Sequence, residues 1–292
     1  MTGEPQVSFR QVSANGLSFR VATAGDGEPF ILCLHGFPET ALSWRHQLPA
    51  FAQAGYRVWA PNLRGYTGTS RPPALEAYHI GPLLDDVHAL VEAAGVRRAI
   101  LIGHDWGGLI AWFYGIRYAD RIDRLVLLNA PHPACFQREL THWRQRLRSL
   151  YALFFQLPWL PETVLRLGGG WAVGALVRRL FVHPERISAD VLKAYRQQAC
   201  EPQALTAMLN YYRAAGRGGG AADQEKAGYP PIHVPTLVIW GVQDGALVRE
   251  NLDGLDEYVS DLTVLTVDTA GHFVHQDEPT LVTREILHWL GP

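Results

Sequence analysis

The stretch Ala99-Ile100-Leu101-Ile102-Gly103-His104-Asp105-Trp106-Gly107-Gly108 joins a short apolar run to the helical pattern Leu109 to Tyr118, turning on an aspartate flanked by glycines. An uninterrupted apolar run of this length suits a strand buried on both faces, and the residues after the turn suit a packed helix. Strand, sharp turn and helix in this order make a nucleophile elbow, in which the flanking glycines are expected to let the backbone take strained angles and project the middle side chain. That side chain is Asp105, where a serine hydrolase would carry Ser. A carboxylate is ionised near neutral pH and attacks carbon directly, giving an ester of the enzyme. The expected substrate is therefore an electrophilic carbon bearing a leaving group.

Upstream and downstream of the elbow, short β-rich runs alternate with amphipathic helical stretches, the pattern of a doubly wound, mostly parallel sheet. Strands are expected at Val7 to Val12, Leu17 to Ala22, Phe30 to Leu34, Arg57 to Ala60, Ala99 to Ile102 and Leu125 to Leu128, with helices at Leu42 to Ala54, Ile80 to Ala94 and Trp106 to Tyr118. After Asn129-Ala130-Pro131-His132-Pro133 the chain becomes helical, aromatic and arginine-rich, punctuated by Gly168-Gly169-Gly170 and closed by Gly216-Arg217-Gly218-Gly219-Gly220. Strand and helix alternation resumes at Pro235 to Gly241 and Leu262 to Val267 and ends in a helix at Pro279 to Leu290. One sheet with an inserted helical cap accounts for this: a core of residues 1–133 and 230–292, and a cap of residues 134–229. Between positions 138 and 217 the cap holds twelve basic residues, eleven Arg and Lys193, against five acidic ones, read as a solvated helical surface.

With 292 residues, 48% of them hydrophobic, the chain can bury a large core. A net charge of -2 makes no electrostatic case for nucleic acid or lipid binding over the chain as a whole. No apolar run approaches the roughly 20 residues of a spanning helix, and Met1 to Gln6 do not read as a secretory signal, so no membrane anchor is expected. Cys33, Cys135 and Cys200 are odd in number and lack metal-ligand spacing, which suits reduced packing thiols in a cytoplasmic protein. Oligomeric state is not legible.

A carboxylate nucleophile needs a base that activates water to cleave its ester, and histidine fits at neutral pH. Twelve histidines compete. His272, in Asp268-Thr269-Ala270-Gly271-His272, directly follows the last expected strand, where loops gather at the carboxyl edge of the sheet. His275 is the weaker candidate. Asp244, in the loop after Pro235 to Gly241, can fix the histidine tautomer and stabilise the imidazolium. Nucleophile, acid, base is the order expected of an α/β-hydrolase fold. His35-Gly36-Phe37-Pro38 follows the strand Phe30 to Leu34, and from that place the backbone amides of Phe37 and Trp106 are expected to form the oxyanion hole.

These features are similar to the α/β-hydrolase-fold epoxide hydrolases along nearly the whole chain. The matching stretches are His35-Gly36-Phe37-Pro38-Glu39, Leu63-Arg64-Gly65-Tyr66, Gly103-His104-Asp105-Trp106-Gly107-Gly108, Leu127-Leu128-Asn129-Ala130-Pro131-His132-Pro133, Phe154-Phe155-Gln156-Leu157-Pro158 and Leu209-Asn210-Tyr211-Tyr212-Arg213. The resemblance implies two cap tyrosines that hold the epoxide oxygen, Tyr151 and Tyr212 by motif position, with Tyr211 as the alternative to Tyr212. A phenol suits this task, because an opening epoxide leaves an alkoxide that needs a proton donor, and a pKa of about 10 supplies one at neutral pH.

The expected reaction is hydrolysis of a small apolar epoxide to a vicinal diol, with no metal or organic cofactor. His35, Phe37, Trp106, Phe154 and Phe155 are expected to line the substrate pocket, with Trp159 among its aromatics. The same aspartate serves haloalkane dehalogenases, which usually hold halide with a second group where Phe37 stands and lack the paired tyrosines, and haloacid (fluoroacetate) dehalogenases, which resemble the His35-Gly36-Phe37-Pro38 stretch but usually carry Arg where Trp106 stands and an acidic residue where Asn129 follows the sixth strand. A non-enzymatic binding member of the fold is the third reading, and it predicts degraded catalytic positions.

Overall fold

The computed structural model describes residues 6–218 and 228–291, so Met1 to Pro5, Gly219 and Gly220 with the rest of 219–227 of the expected cap, and Pro292 lie outside the described residues. Eight strands form one sheet: β1 (Ser8–Ala14), β2 (Leu17–Ala24), β3 (Phe30–Leu34), β4 (Arg57–Pro61), β5 (Ala99–His104), β6 (Ile122–Leu128), β7 (Thr236–Gly241) and β8 (Leu262–Val267). Their order is β1-β2-β4-β3-β5-β6-β7-β8. β1 pairs antiparallel with β2, and β2 with β4; every other neighbour is parallel. The central strands β3, β5 and β7 are buried at every position, as continuous apolar runs require when helices cover both faces.

Alternate residues of each strand sort into two cores. Phe30, Leu32, Leu34, Leu101 and Leu127 pack with α2 (Ile80–Ala93) and α3 (Asp105–Arg117) on one face. Ile31, Cys33, Ile100, Ile102 and Val126 pack on the other with α1 (Gln47–Gln53) and the C-terminal helix Pro279–Leu290. The period of two along each strand thus places α3, and with it Asp105, on a fixed face.

Local chemistry adjusts the expected boundaries. The helix expected over 42–54 is divided into a 3₁₀ turn, Ala41–Trp44, and α1. Pro49 explains the division: an α-helix begun at residue 42 would put it in the interior, whereas α1 holds it in the first turn, where a missing N–H leaves nothing unpaired. Gly168, Gly169 and Gly170 all have positive φ and interrupt the helical run Leu160–Leu180. Cys33 and Cys135 are buried free thiols, but Cys200 is exposed at a helix end and is not a packing residue.

Between β6 and β7 the described chain is helical: α4 (Pro133–Glu139), α5 (Trp143–Arg148), α6 (Leu150–Phe154), α7 (Leu160–Leu180), α8 (Ala189–Cys200) and α9 (Ala204–Gly216). Gln198 ties this segment to the core by donating to the carbonyls of Pro38 and Glu39, both at 3.2 Å, and by accepting from the Thr67 amide at 3.0 Å. Among the described residues, no helix is long and apolar enough to cross a membrane.

Candidate active site

Asp105 sits where β5 ends and α3 begins, with φ +50°, and the α3 macrodipole favours negative charge at this end. The glycines contribute differently from the expectation. Gly103 and Gly107 have no positive φ; the strained residue is the aspartate itself. What the glycines supply is close approach: a Cβ on Gly103 would lie 2.5 Å from the Gly107 carbonyl oxygen, and one on Gly107 would lie 2.2 Å from the Leu34 carbonyl oxygen. Gly36 is equally constrained, since its Cβ would fall 2.4 Å from the Asp105 Cβ.

The loops after β3, β7 and β8 converge on this carboxylate. The Phe37 amide donates to Asp105 Oδ1 at 2.8 Å, across 68 residues of sequence. His272 Nε2 lies 3.5 Å from Asp105 Oδ2, and His272 Nδ1 donates to Asp244 Oδ2 at 2.8 Å. Asp244 Oδ1 accepts from the amides of Ala246 and Leu247 at 2.7 and 2.9 Å. Burial opposes charge on both members of the pair. It would lower the His272 pKa, yet Asp244 and Asp105 together hold it well above the usual histidine range. Burial would likewise raise Asp244, but the His272 charge and three donors keep it below the usual carboxylate range.

Tyr151 and Tyr212 belong to one aromatic cluster with Phe37 and Trp106, the residues that flank the Asp105 carboxylate. The Tyr212 ring lies 5.4 Å from Phe37, 5.0 Å from Trp106, 5.0 Å from Phe155 and 5.8 Å from Tyr151, centroid to centroid. Burial above all pushes both phenols upward, and Asp105 adds to it in each, so they are neutral donors at physiological pH. The Tyr151 ring keeps one exposed side while its hydroxyl end is enclosed beside Tyr212. The neighbouring tyrosines differ in their bonding: the Tyr211 hydroxyl donates to the Arg64 carbonyl at 2.9 Å, and its ring packs on Tyr66, Tyr78 and Trp106. The Tyr211 hydroxyl is thus already engaged by backbone.

Two pocket residues are corrected. His35 is fully buried, and both ring nitrogens are engaged by backbone, Nδ1 with the Gly36 carbonyl at 2.8 Å and Nε2 with the Leu63 amide at 3.0 Å. Burial pushes its pKa down to about 4. It braces the loop and offers nothing to a substrate. Trp159 is 70% exposed on the outer surface. Phe155 packs against Phe37, and Phe154 stands behind it, half-buried.

A family model described as alpha/beta hydrolase fold matches residues 29–279. The AB hydrolase superfamily protein YfhM of Bacillus subtilis is 36% identical over 97% of this chain and 98% of its own length. Epoxide hydrolase A of Mycobacterium tuberculosis is 35% identical, covering 96% of each chain. This chain belongs to the α/β-hydrolase-fold epoxide hydrolases. Among solved members of that family, an epoxide hydrolase of Bacillus megaterium in complex with an inhibitor superposes with a TM-score of 0.88 at 30% identity, over 96% of this chain and 99% of that one.

Sequence reasoning about this epoxide hydrolase family member missed a supporting layer. Asn129, at the end of β6 with φ +41°, donates to Asp244 Oδ2 at 2.7 Å and accepts from the Gly241 amide at 2.9 Å. Its place at a strand's carboxyl end was the available signal. His104 Nε2 donates to the His272 carbonyl at 2.9 Å, and His104 Nδ1 pairs with Glu39 Oε2 at 2.7 Å. Burial would raise Glu39, but His104, His275 and the Gly36 amide hold it down to about 2. Glu39, His104 and His275 bring donor atoms within 4.8 Å of one another and so could hold a metal ion, although His104 and Glu39 are here paired directly.

Proposed function

We propose that this protein hydrolyses an epoxide to a vicinal diol through an ester on Asp105. Oδ1 is committed to the Phe37 amide, which leaves Oδ2 as the attacking oxygen. Oδ2 displaces the ring oxygen from one carbon while a phenol proton from Tyr151 or Tyr212 passes to the departing oxygen. General acid assistance of this kind is worth about 10²- to 10⁴-fold in rate. The observation that carries the reading is the pair of neutral phenols packed over a carboxylate nucleophile that is itself in contact with a histidine–aspartate pair.

Esterification then changes the base. Asp105 is one of the charges that keep His272 protonated. Once it becomes an ester that charge is gone and the His272 pKa falls; the imidazolium proton restores the phenol that gave its own to the epoxide oxygen, and the neutral imidazole can then take a proton from water. Water attacks Cγ, charge builds on Oδ1 opposite the amides of Phe37 and Trp106, and the Cγ–Oδ2 bond breaks, with the proton returning to Oδ2 of the diol. Residues 134–229 act as the cap of a core formed by 1–133 and 230–292. Phe37, Trp106, Phe154 and Phe155 give an apolar surround. No step calls on a metal or organic cofactor.

Single turnover in ¹⁸O-water tests the route: label is expected in the Asp105 carboxylate and none in the first diol released. Label in that diol alone would refute the covalent path, and halide release from haloalkanes without epoxide turnover would refute the substrate class.

A further inference from the structure

Thirteen large apolar residues are exposed among those described, and eleven of them lie between Trp143 and Trp171. Isolated exposed apolar side chains are ordinary; this concentration is not. Trp143 and Leu147 stand one turn apart on α5, and Leu160, Val164 and Leu167 share a face of α7, so the exposed positions follow helical spacing. Trp143, Leu153, Trp159 and Trp171 each expose two-thirds or more of their surface. The same segment, 143–180, holds six arginines and one acid, Glu162. Glu162 is already paired with Arg213 at 2.7 Å and so cancels none of the six; Arg144 alone among them meets a carboxylate, Glu250 at 3.4 Å, which leaves a clear basic excess. Arg166 and Arg217 rim an open groove of about 970 Å³ that also takes in Trp159 and Leu167.

We infer that this face of the helical segment is an adsorption surface for an anionic lipid bilayer. Tryptophan and leucine at the acyl boundary with arginine at headgroup level is the composition of an interfacial protein surface. A second copy of the chain fits less well, because a symmetric contact would bring like charges together across an apolar seam. Tyr151, half of the tyrosine pair over Asp105, lies within the same exposed stretch. Apolar epoxides dissolved in the bilayer would thus meet the protein beside its site; this purpose rests on the epoxide hydrolase reading, whereas the adsorption does not.

Sedimentation of the full chain with vesicles, without substrate, tests it. The protein is expected to pellet with phosphatidylcholine–phosphatidylglycerol vesicles, to be released as salt rises, and to stay in solution with phosphatidylcholine alone. The surface variant Trp143→Gln/Leu167→Gln/Trp171→Gln should lose binding while keeping its turnover of a water-soluble epoxide. Arg166→Gln, Arg178→Gln and Arg179→Gln should each weaken binding by about fivefold, the effect of one basic side chain at an anionic surface. Wild-type protein that ignores both vesicle types, or binds both equally, overturns the inference. So does a dimer, seen by sedimentation velocity, that the apolar triple variant dissociates.

Discussion

Asn129→Ala should separate the two chemical steps. Asn129 is fully buried and makes a hydrogen bond of 2.7 Å to the charged Asp244, while its own oxygen is the acceptor for the Gly241 amide. Losing a bond to a charged group is worth about 1.5–3 kcal/mol, and stranding a buried amide a further 1–3 kcal/mol or so. The expected loss of stability is therefore about 3–5 kcal/mol, a large share of the roughly 5–15 kcal/mol typical of a folded protein. Catalysis should suffer less. Asp244 keeps three of its four donors, His272 Nδ1 and the amides of Ala246 and Leu247, so the His272 ring stays oriented but against a less firmly held charge. We expect ester hydrolysis to slow by about tenfold, equivalent to roughly 1.4 kcal/mol, with ester formation nearly unchanged. Stopped-flow tryptophan fluorescence under single turnover reads both rates, and urea unfolding reads the stability. Equal slowing of the two steps, or a stable variant with unchanged ester decay, would refute the assignment of Asn129 to the Asp244–His272 pair.

Other substitutions probe separate parts of the site. Gly36→Ala would place a methyl carbon 2.5 Å from Asp105 Oδ1, so the loop or the nucleophile must shift; turnover should drop by about 100-fold or more with a modest overpacking cost of about 1–3 kcal/mol, and wild-type kinetics would contradict this. Tyr212→Phe should slow ester formation by about 10²-fold, whereas Tyr211→Phe should leave it within about twofold and lower stability by about 1 kcal/mol; the reverse pattern would transfer the acid role to Tyr211. Glu39 has a folded-state pKa depressed to about 2 from 4.5, so its contribution, about 3 kcal/mol, is present above pH 4.5 and is lost as pH falls toward 2. Urea midpoints of Glu39→Gln between pH 5 and 3 should therefore fall less steeply than those of the wild type, and parallel curves would count against the assignment.

Much of the fold was legible because its determinants are local. Alternation along the strands, apolar stripes on the helices and the turn at Asp105 are all readable within windows of ten to twenty residues. The strand Phe30–Leu34 and the helix Pro279–Leu290 fall where their patterns put them. Even the expected positions of Asp244 and His272 followed from local logic, since each comes directly after a recognisable strand. Composition alone misled where it was read without backbone conformation. Trp159 looked like a pocket aromatic by composition, but it takes a left-handed backbone at the start of α7 and faces outward.

By itself, then, the sequence determined the elements, their order and the aspartate at the elbow, because each depends on neighbours in the chain. Only the tertiary structure decided that the Tyr211 hydroxyl is taken up by the Arg64 carbonyl, 147 residues away. It decided that Asn129 and Asp244 meet across 115 residues, through the pairing of β6 with β7. It also decided why the elbow glycines are needed: backbone oxygens of the first turn of α3 and of the end of β3 occupy the space that side chains would fill. Hydrogen-bond partners and excluded volume are properties of register and packing, and periodicity carries no record of them.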